Sequence, residues 1–249
     1  MLNILLCGSL GKMGAAVKAA ASGSEDICIA AEVDARVAEG TENAYQSFSQ
    51  VEGKYDCIID FSHPSVTDSM LDYAVKTQTA VVLCTTGLSK QQLERVKATS
   101  KEIPVFFSAN MSLGVNLIVA LCKKATEILG DDFDIEIIEK HHNQKVDAPS
   151  GTAVMLADAI NEAAGNKYEY VYERQSVRKK REKKELGIHS LRGGNIVGEH
   201  EVIFAGHDEC VSIKHSATSK EVFAVGAVNA ARFVATQGAG IYSMADMLK

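Results

Sequence analysis

A chain of 249 residues has room for one large domain or two modest ones, with ample apolar content for a core. Hydrophobic residues make up 46% and charged residues 23%, and 26 Lys plus Arg against 32 Asp plus Glu leave a formal net charge of −6. That balance argues against a general binder of nucleic acid or anionic membrane, so an anionic ligand must be met by locally placed basic groups.

The N-terminal run Leu2–Cys7 is apolar but short, lacks a basic lead and passes straight into a glycine turn. No apolar stretch approaches the ~18 residues of a membrane span, and a soluble cytoplasmic protein is expected. The six cysteines, Cys7, Cys28, Cys57, Cys84, Cys122 and Cys210, show no C-x-x-C spacing. Reduced thiols are therefore expected, and no metal site.

In chain order, Leu2–Cys7 reads as a buried strand, Ala15–Ala21 as part of a small-residue helix and Ile27–Val33 as a second strand. Further strands are expected at Cys57–Asp60, Ala80–Cys84 and Val105–Phe107, separated by helices over Val66–Val75 and Lys90–Ser100. Continuous apolar strands alternating with helices predict a Rossmann-type, doubly wound parallel sheet. From Leu113 the pattern changes to a long helix to Leu129, a strand Phe133–Glu139 and a helix from Thr152 to Ala163. Three β-like runs follow, Gly187–Leu191, Ile196–Phe204 and Val211–His215, which predict a mostly antiparallel sheet in a second, α+β domain. The small-residue helix Lys220–Thr236 is expected to return to the first domain, giving boundaries of 1–112 with 220–249, and 113–219. The basic run Arg178–Lys184 has acidic neighbours and no interleaved aromatics, and reads as a solvated, mobile loop.

Gly8-Ser9-Leu10-Gly11-Lys12-Met13-Gly14 sits between the first strand and the first helix. Glycines there let the backbone approach a pyrophosphate, whose charge is met by free N–H groups at the helix start. Leu10 and Met13 depart from the G-x-G-x-x-G pattern, yet Asp34 ends the second strand where an acid accepts hydrogen bonds from an adenosine ribose. Arg36 is close enough to meet a 2′-phosphate, which leaves NADH and NADPH both open. Polar strand ends at Asp60–Ser62, Cys84-Thr85-Thr86-Gly87 and Ser108-Ala109-Asn110-Met111 should line the same crevice.

The densest chemistry lies in His141-His142-Asn143-Gln144-Lys145-Val146-Asp147-Ala148-Pro149-Ser150-Gly151-Thr152, between a strand end and a helix start. Two imidazoles and an ammonium supply proton donors, while Ser150, Gly151 and Thr152 offer hydroxyl and backbone donors to a carboxylate at the helix N-terminus. Adjacent histidines rarely share one zinc ion, and no H-E-x-x-H spacing accompanies them.

From Glu139-Lys140-His141-His142 through Lys145 to Ala153 this segment resembles the signature of the dihydrodipicolinate reductase family. Gly8–Gly14, Asp60-Phe61-Ser62, Thr85-Thr86-Gly87, Ala109-Asn110, Gly114-Val115-Asn116, Arg192-Gly193-Gly194 and Gly198-Glu199-His200 match the same pattern in order. The resemblance implies a nicotinamide-binding domain and a domain that binds a cyclic dicarboxylate and builds a homotetramer. It implies hydride delivery from NADH or NADPH, with loss of water, in the diaminopimelate route to lysine. By motif, His141 is the implied acid/base group and Lys145 the proton donor, with His142, Lys145, Ser150, Gly151 and Thr152 on the substrate carboxylates. Gly8, Ser9, Leu10, Gly11, Lys12, Met13, Asp34, Cys84, Thr85, Thr86, Ser108, Ala109, Asn110 and Met111 are the implied cofactor contacts. Spacing alone leaves open which of His141 and Lys145 hands over the proton. It also leaves open another nicotinamide oxidoreductase of the same architecture, or a nucleotide sensor without turnover.

Overall fold

The structure, a computed structural model, describes residues 1–108 and 110–248. The chain forms two compact units, Met1–Ser112 with the segment from Glu221 onward, and Leu113–Lys220.

The first unit begins β1 (Leu2–Cys7), α1 (Lys12–Ser22), β2 (Ile27–Val33), β3 (Ala44–Tyr45) and β4 (Cys57–Asp60). It continues α2 (Pro64–Thr77), β5 (Ala80–Leu83), α3 (Lys90–Thr99) and β6 (Pro104–Phe107). The second unit holds α4 (Leu113–Leu129), β7 (Asp134–His141), α5 (Gly151–Ala163), β8 (Glu169–Val171), β9 (Glu185–Arg192), β10 (Gly198–Ala205) and β11 (Cys210–Ala217). The chain then returns to the first unit as α6 (Glu221–Val234), β12 (Gly240–Tyr242) and α7 (Met244–Met247). Among these helices none is long and apolar enough to cross a membrane.

In the first unit, seven strands lie in the order β12-β6-β5-β4-β1-β2-β3, and every pair is parallel. Such a sheet must be covered on both faces, which is why β1 from Ile4 onward, β4 up to Ile59 and β5 read as unbroken apolar runs. Ile4, Leu5, Leu6, Ile58, Ile59, Val81, Val82 and Leu83 are all fully buried. Because β2 and β4 flank β1 on opposite sides, the strand order reverses there, and a ligand crevice opens beyond the carboxyl ends of β1 and β4. The small residues of α6 let it approach closely: a Cβ on Gly226 would collide with the Met111 carbonyl oxygen.

In the second unit the strand order is β11-β10-β7-β9-β8. β10 is antiparallel to both β11 and β7, whereas β7 with β9 and β8 with β9 are parallel. The sheet is thus mixed, not mostly antiparallel, because α5 acts as a crossover between strands that run the same way. β8, which sequence periodicity passes over at three residues, caps the parallel edge. Ile135, Ile137, Leu186, Ile188, Val202 and Phe204 form the core with Ile118, Cys122, Leu156 and Ile160 of α4 and α5.

The 178–184 run is fastened to the sheet rather than solvated throughout. Arg181 bonds Asp134 (2.8 Å), Glu136 (3.0 Å) and the carbonyls of Ile135 and Glu185. Lys179 pairs with Glu182 and Glu185, and Arg174 with Glu136 and Glu185.

Candidate active site

The first unit carries a cleft beside the turn that follows β1. The turn after β1 needs Gly8 at φ +78°, and a Cβ there would lie 2.5 Å from the Phe61 carbonyl oxygen. Gly14 is equally fixed, since its Cβ would fall 2.5 Å from the carbonyl oxygens of both Gly8 and Ser9. Close backbone approach, not turn chemistry alone, therefore explains the glycines. A cleft of about 360 Å³ beside this turn is lined by Gly8, Gly11, Asp34, Arg36, Gln46 and His63 among others. Ser9 is buried with its hydroxyl lacking a partner among the described residues, while Leu10 and Lys12 are exposed and Met13 half-buried. A glycine turn opening a helix, a buried hydroxyl without a partner among the described residues and an acid at the end of β2 fit a dinucleotide.

Asp34 is already engaged. Its carboxylate accepts the Leu10 N–H (3.1 Å), the Arg36 N–H (3.1 Å) and a two-point contact from the Arg36 guanidinium (2.9 Å each). The Arg36 bond, working against burial and helped by the two amides, holds the carboxyl down at about 2. Arg36 itself is exposed and turned onto Asp34.

The other strand ends divide. Thr86 is exposed, but Thr85 is buried and donates to the Asp60 carboxylate at 2.7 Å. Cys84 follows β5, half-buried. Ser108 donates to the Asn110 carbonyl (3.0 Å), the Asn110 side chain accepts the Ser112 N–H (2.9 Å), and Met111 is buried. Ala109 lies outside the described residues.

The second unit holds the proton-bearing groups. β7 runs two residues further than periodicity suggests and ends on His141, which is buried instead of opening the loop. Alternation along the strand puts Ile135, Ile137, Glu139 and His141 on the core-facing side, so a carboxylate and an imidazole continue an apolar row. Glu139 is fully buried. It lies 2.6 Å from His141 Nδ1, accepts both Arg192 terminal nitrogens (2.8 and 2.7 Å) and accepts the Ser150 N–H (3.1 Å). Burial pushes this carboxyl up, but Arg192, His141 and Ser190 together hold it at about 2.

Ser150 caps α5 by accepting the Ala153 N–H at 3.2 Å, and its hydroxyl shares a 2.8 Å hydrogen bond with His200 Nε2. The His200 ring stands edge-on to His141 with centroids 5.2 Å apart. Burial, reinforced by the nearby His141, lowers the His200 pKa to about 4, so this ring is neutral at pH 7. The Cβ position of Gly151 is open, leaving the helix start accessible. Lys145 is mostly covered and pairs with Asp147 at 2.8 Å, and the Lys145 N–H donates to the His142 carbonyl. Thus His141, Ser150 and, through the turn, Lys145 and His142 gather on one loop, with Gly151 and Thr152 opening the helix.

Sequence reasoning gave no role to Glu139, Arg192, Gly198 or His200, although all four stand in the motifs quoted above. The available signal was two polar residues in the buried row of a strand, and a histidine in the buried row of β10.

Residues 2–111 match the family model for the N-terminus of dihydrodipicolinate reductase and residues 114–248 that for its C-terminus. A 4-hydroxy-tetrahydrodipicolinate reductase from Caldanaerobacter subterraneus subsp. tengcongensis is 46% identical over 249 residues, all of this chain and 99% of the relative. One from Clostridium tetani is 47% identical, covering 100% and 97%. Among solved structures, a dipicolinate-bound dihydrodipicolinate reductase from Paenisporosarcina sp. TG-14 shares the fold with a TM-score of 0.83 over the full length of both chains, at 21% identity. A probable dehydrogenase from Thermotoga maritima follows at 0.64, 13% identity, covering 98% and 92%. The chain belongs to the dihydrodipicolinate reductase family.

Proposed function

We propose that the chain is a 4-hydroxy-tetrahydrodipicolinate reductase that uses NADH or NADPH and releases tetrahydrodipicolinate, with loss of water, in the diaminopimelate route to lysine. The observation that carries the reading is the buried His141–Glu139–Arg192 cluster beside a serine-capped helix start. Glu139 and His141 lie in the segment most specific to the family, and Arg192 reaches them from β9.

The nicotinamide, when bound, supplies the hydride. The first unit would hold the dinucleotide, with the turn from Gly8 to Met13 at the start of α1 meeting the pyrophosphate and Asp34 and Arg36 meeting the ribose. Cys84, Thr85, Thr86 and Ser108 to Met111 line the nicotinamide end. In the second unit, His142, Lys145, Ser150, Gly151 and Thr152 hold the substrate carboxylates, as an ammonium and a helix start suit a dicarboxylate. Hydride addition leaves an electron-rich carbon that must be protonated, and His141 and Lys145 are the groups positioned to supply the proton. Lys145 then exchanges its Asp147 partner for the substrate.

The test is oxidation of NADH or NADPH with freshly made dihydrodipicolinate synthase product. No rate above background with either cofactor, in a folded sample, rejects the reading.

The homotetramer belongs to the same proposal. Helices cover one face of the five-stranded sheet. The other carries Ile138, Ile203 and the exposed Leu191, with Glu199 paired to Lys140 and Lys214. A second copy of this chain suits such a mixed face. Light scattering should give four times the 26.7 kDa chain mass, and a monomer would reject it.

A further inference from the structure

The Glu139 carboxylate joins three separate parts of the second unit's site: His141, Arg192 and Ser150. One oxygen, Oε2, meets His141 Nδ1 at 2.6 Å and one Arg192 nitrogen at 2.8 Å. The other, Oε1, accepts the Ser150 N–H at 3.1 Å and the second Arg192 nitrogen at 2.7 Å. Arg192 also donates to the Asp147 carbonyl at 2.6 Å, tying the carboxylate to the loop that carries Lys145. No face of this carboxylate is left for solvent or for a ligand, since Glu139 is fully buried.

We infer that Glu139 is a positioning residue: it fixes His141 as the Nδ1–H tautomer, presents Nε2 as the proton-active nitrogen, and sets the Ser150 helix start in register with it. An ionised carboxylate can only accept, so the ring nitrogen facing it must carry the hydrogen. The free nitrogen is then Nε2, which faces Gly198, where the absent side chain leaves room. The same anion holds the Ser150 amide, so the proton group and the carboxylate cradle are fixed by one side chain. Arg192 balances the buried charge and prevents the carboxylate from rotating.

The inference rests on reading His141 as the acid/base group, and its test is separable from that reading. Long-range proton–nitrogen spectra of uniformly labelled enzyme report which ring nitrogen of His141 is protonated, with assignment from His141→Gln. The neutral ring in the wild type is expected as Nδ1–H, and an Nε2–H ring overturns the inference without any variant.

Glu139→Gln sharpens it. The Ser150 N–H cannot change sign, so the introduced amide must turn its oxygen there and its NH2 group towards His141. The ring can answer only by moving its hydrogen to Nε2. The expected result is an inverted tautomer, kcat lowered about a hundredfold, the scale of one acid–base contribution, and KM for the cofactor unchanged. A ring that remains Nδ1–H in this variant overturns the assignment. Where the unpaired Arg192 prevents folding, Glu139→Gln with Arg192→Gln removes both charges and is read by the same spectrum. Wild-type turnover of the dicarboxylate tests the function, and the tautomer tests Glu139, so either can fail alone.

Discussion

Gly198 lies against the His141 ring, so that a Cβ added there would stand 3.1 Å from Nε2 and 3.5 Å from Cδ2. The contact is tight enough that the ring must shift by a few tenths of an ångström, and the added methyl would sit over the nitrogen left free by Glu139. Gly198→Ala should lower kcat about tenfold through this displacement while leaving cofactor binding intact, because misplacement of a reacting group by less than 1 Å is costly. Gly198→Val should do more. Steady-state kinetics beside cofactor titration checks this; an alanine variant with normal kcat would show that Nε2 is not the working nitrogen.

His141 and Lys145 should separate by kinetic parameter. His141→Gln removes proton transfer but keeps a polar side chain beside Glu139, so kcat should fall by roughly 10²-fold or more with a small change in KM. Lys145→Ala removes both a charge partner for the substrate and a donor, and should damage kcat and raise KM together. In the proposed role Lys145 would give up its Asp147 partner for a substrate carboxylate. Near-normal kinetics in Lys145→Ala would remove it from the site.

The proposed ribose contacts make the Asp34–Arg36 pair the place to test cofactor choice. The carboxylate, held ionised at about 2 chiefly by the Arg36 bond, would repel a 2′-phosphate and would accept ribose hydroxyls. Asp34→Ala frees the guanidinium and removes the repulsion, so the NADPH to NADH ratio of kcat/KM should rise about tenfold, worth ~1.4 kcal/mol. Arg36→Ala should move it the other way. Equal ratios in all three proteins would place specificity elsewhere in the cleft.

Much of this site could be read before the fold was known, and the parts that could not share a physical cause. The β1 turn, Asp34 and the 141–152 segment announce themselves locally, through glycines, an acid at a strand end and a run of donors. Glu139 and Arg192 do not, because their meaning comes from a pairing of β7 with β9 across 53 residues of sequence. Periodicity ended β7 at Glu139 because a carboxylate and an imidazole look like loop residues. Their partners, Arg192 and Ser150 among them, make this burial tolerable. Arg181 was misread for the same reason: its anchors Glu136 and Asp134 lie 45 and 47 residues away. The parallel β7–β9 pairing likewise depends on α5 serving as a crossover, which no single strand encodes.

His200 gives the second unit a stability that should weaken in mild acid. Burial, then the neighbouring His141, depress its pKa from 6.5 to about 4. The unfolded chain therefore binds a proton between these values while the folded ring stays neutral. Stability from this group is complete above about pH 6.5, falls as pH drops, and is lost by about pH 4, below which both states are protonated. At pH 5 the loss should be roughly 2 kcal/mol relative to pH 7. The His215 pKa, lowered by burial, adds to the same window, whereas the stability from Glu136 and Glu139, whose carboxyl values are depressed, is fully present above about pH 4.5 and is lost only below it. His200→Gln keeps a hydrogen bond within reach of Ser150 without a titrating ring, so its loss between pH 7 and pH 5 should be smaller by that amount. Urea unfolding followed by circular dichroism at the two pH values measures the difference. An unchanged pH dependence in the variant would mean that the His200 ring is protonated in the folded protein, contrary to its buried contact with Ser150.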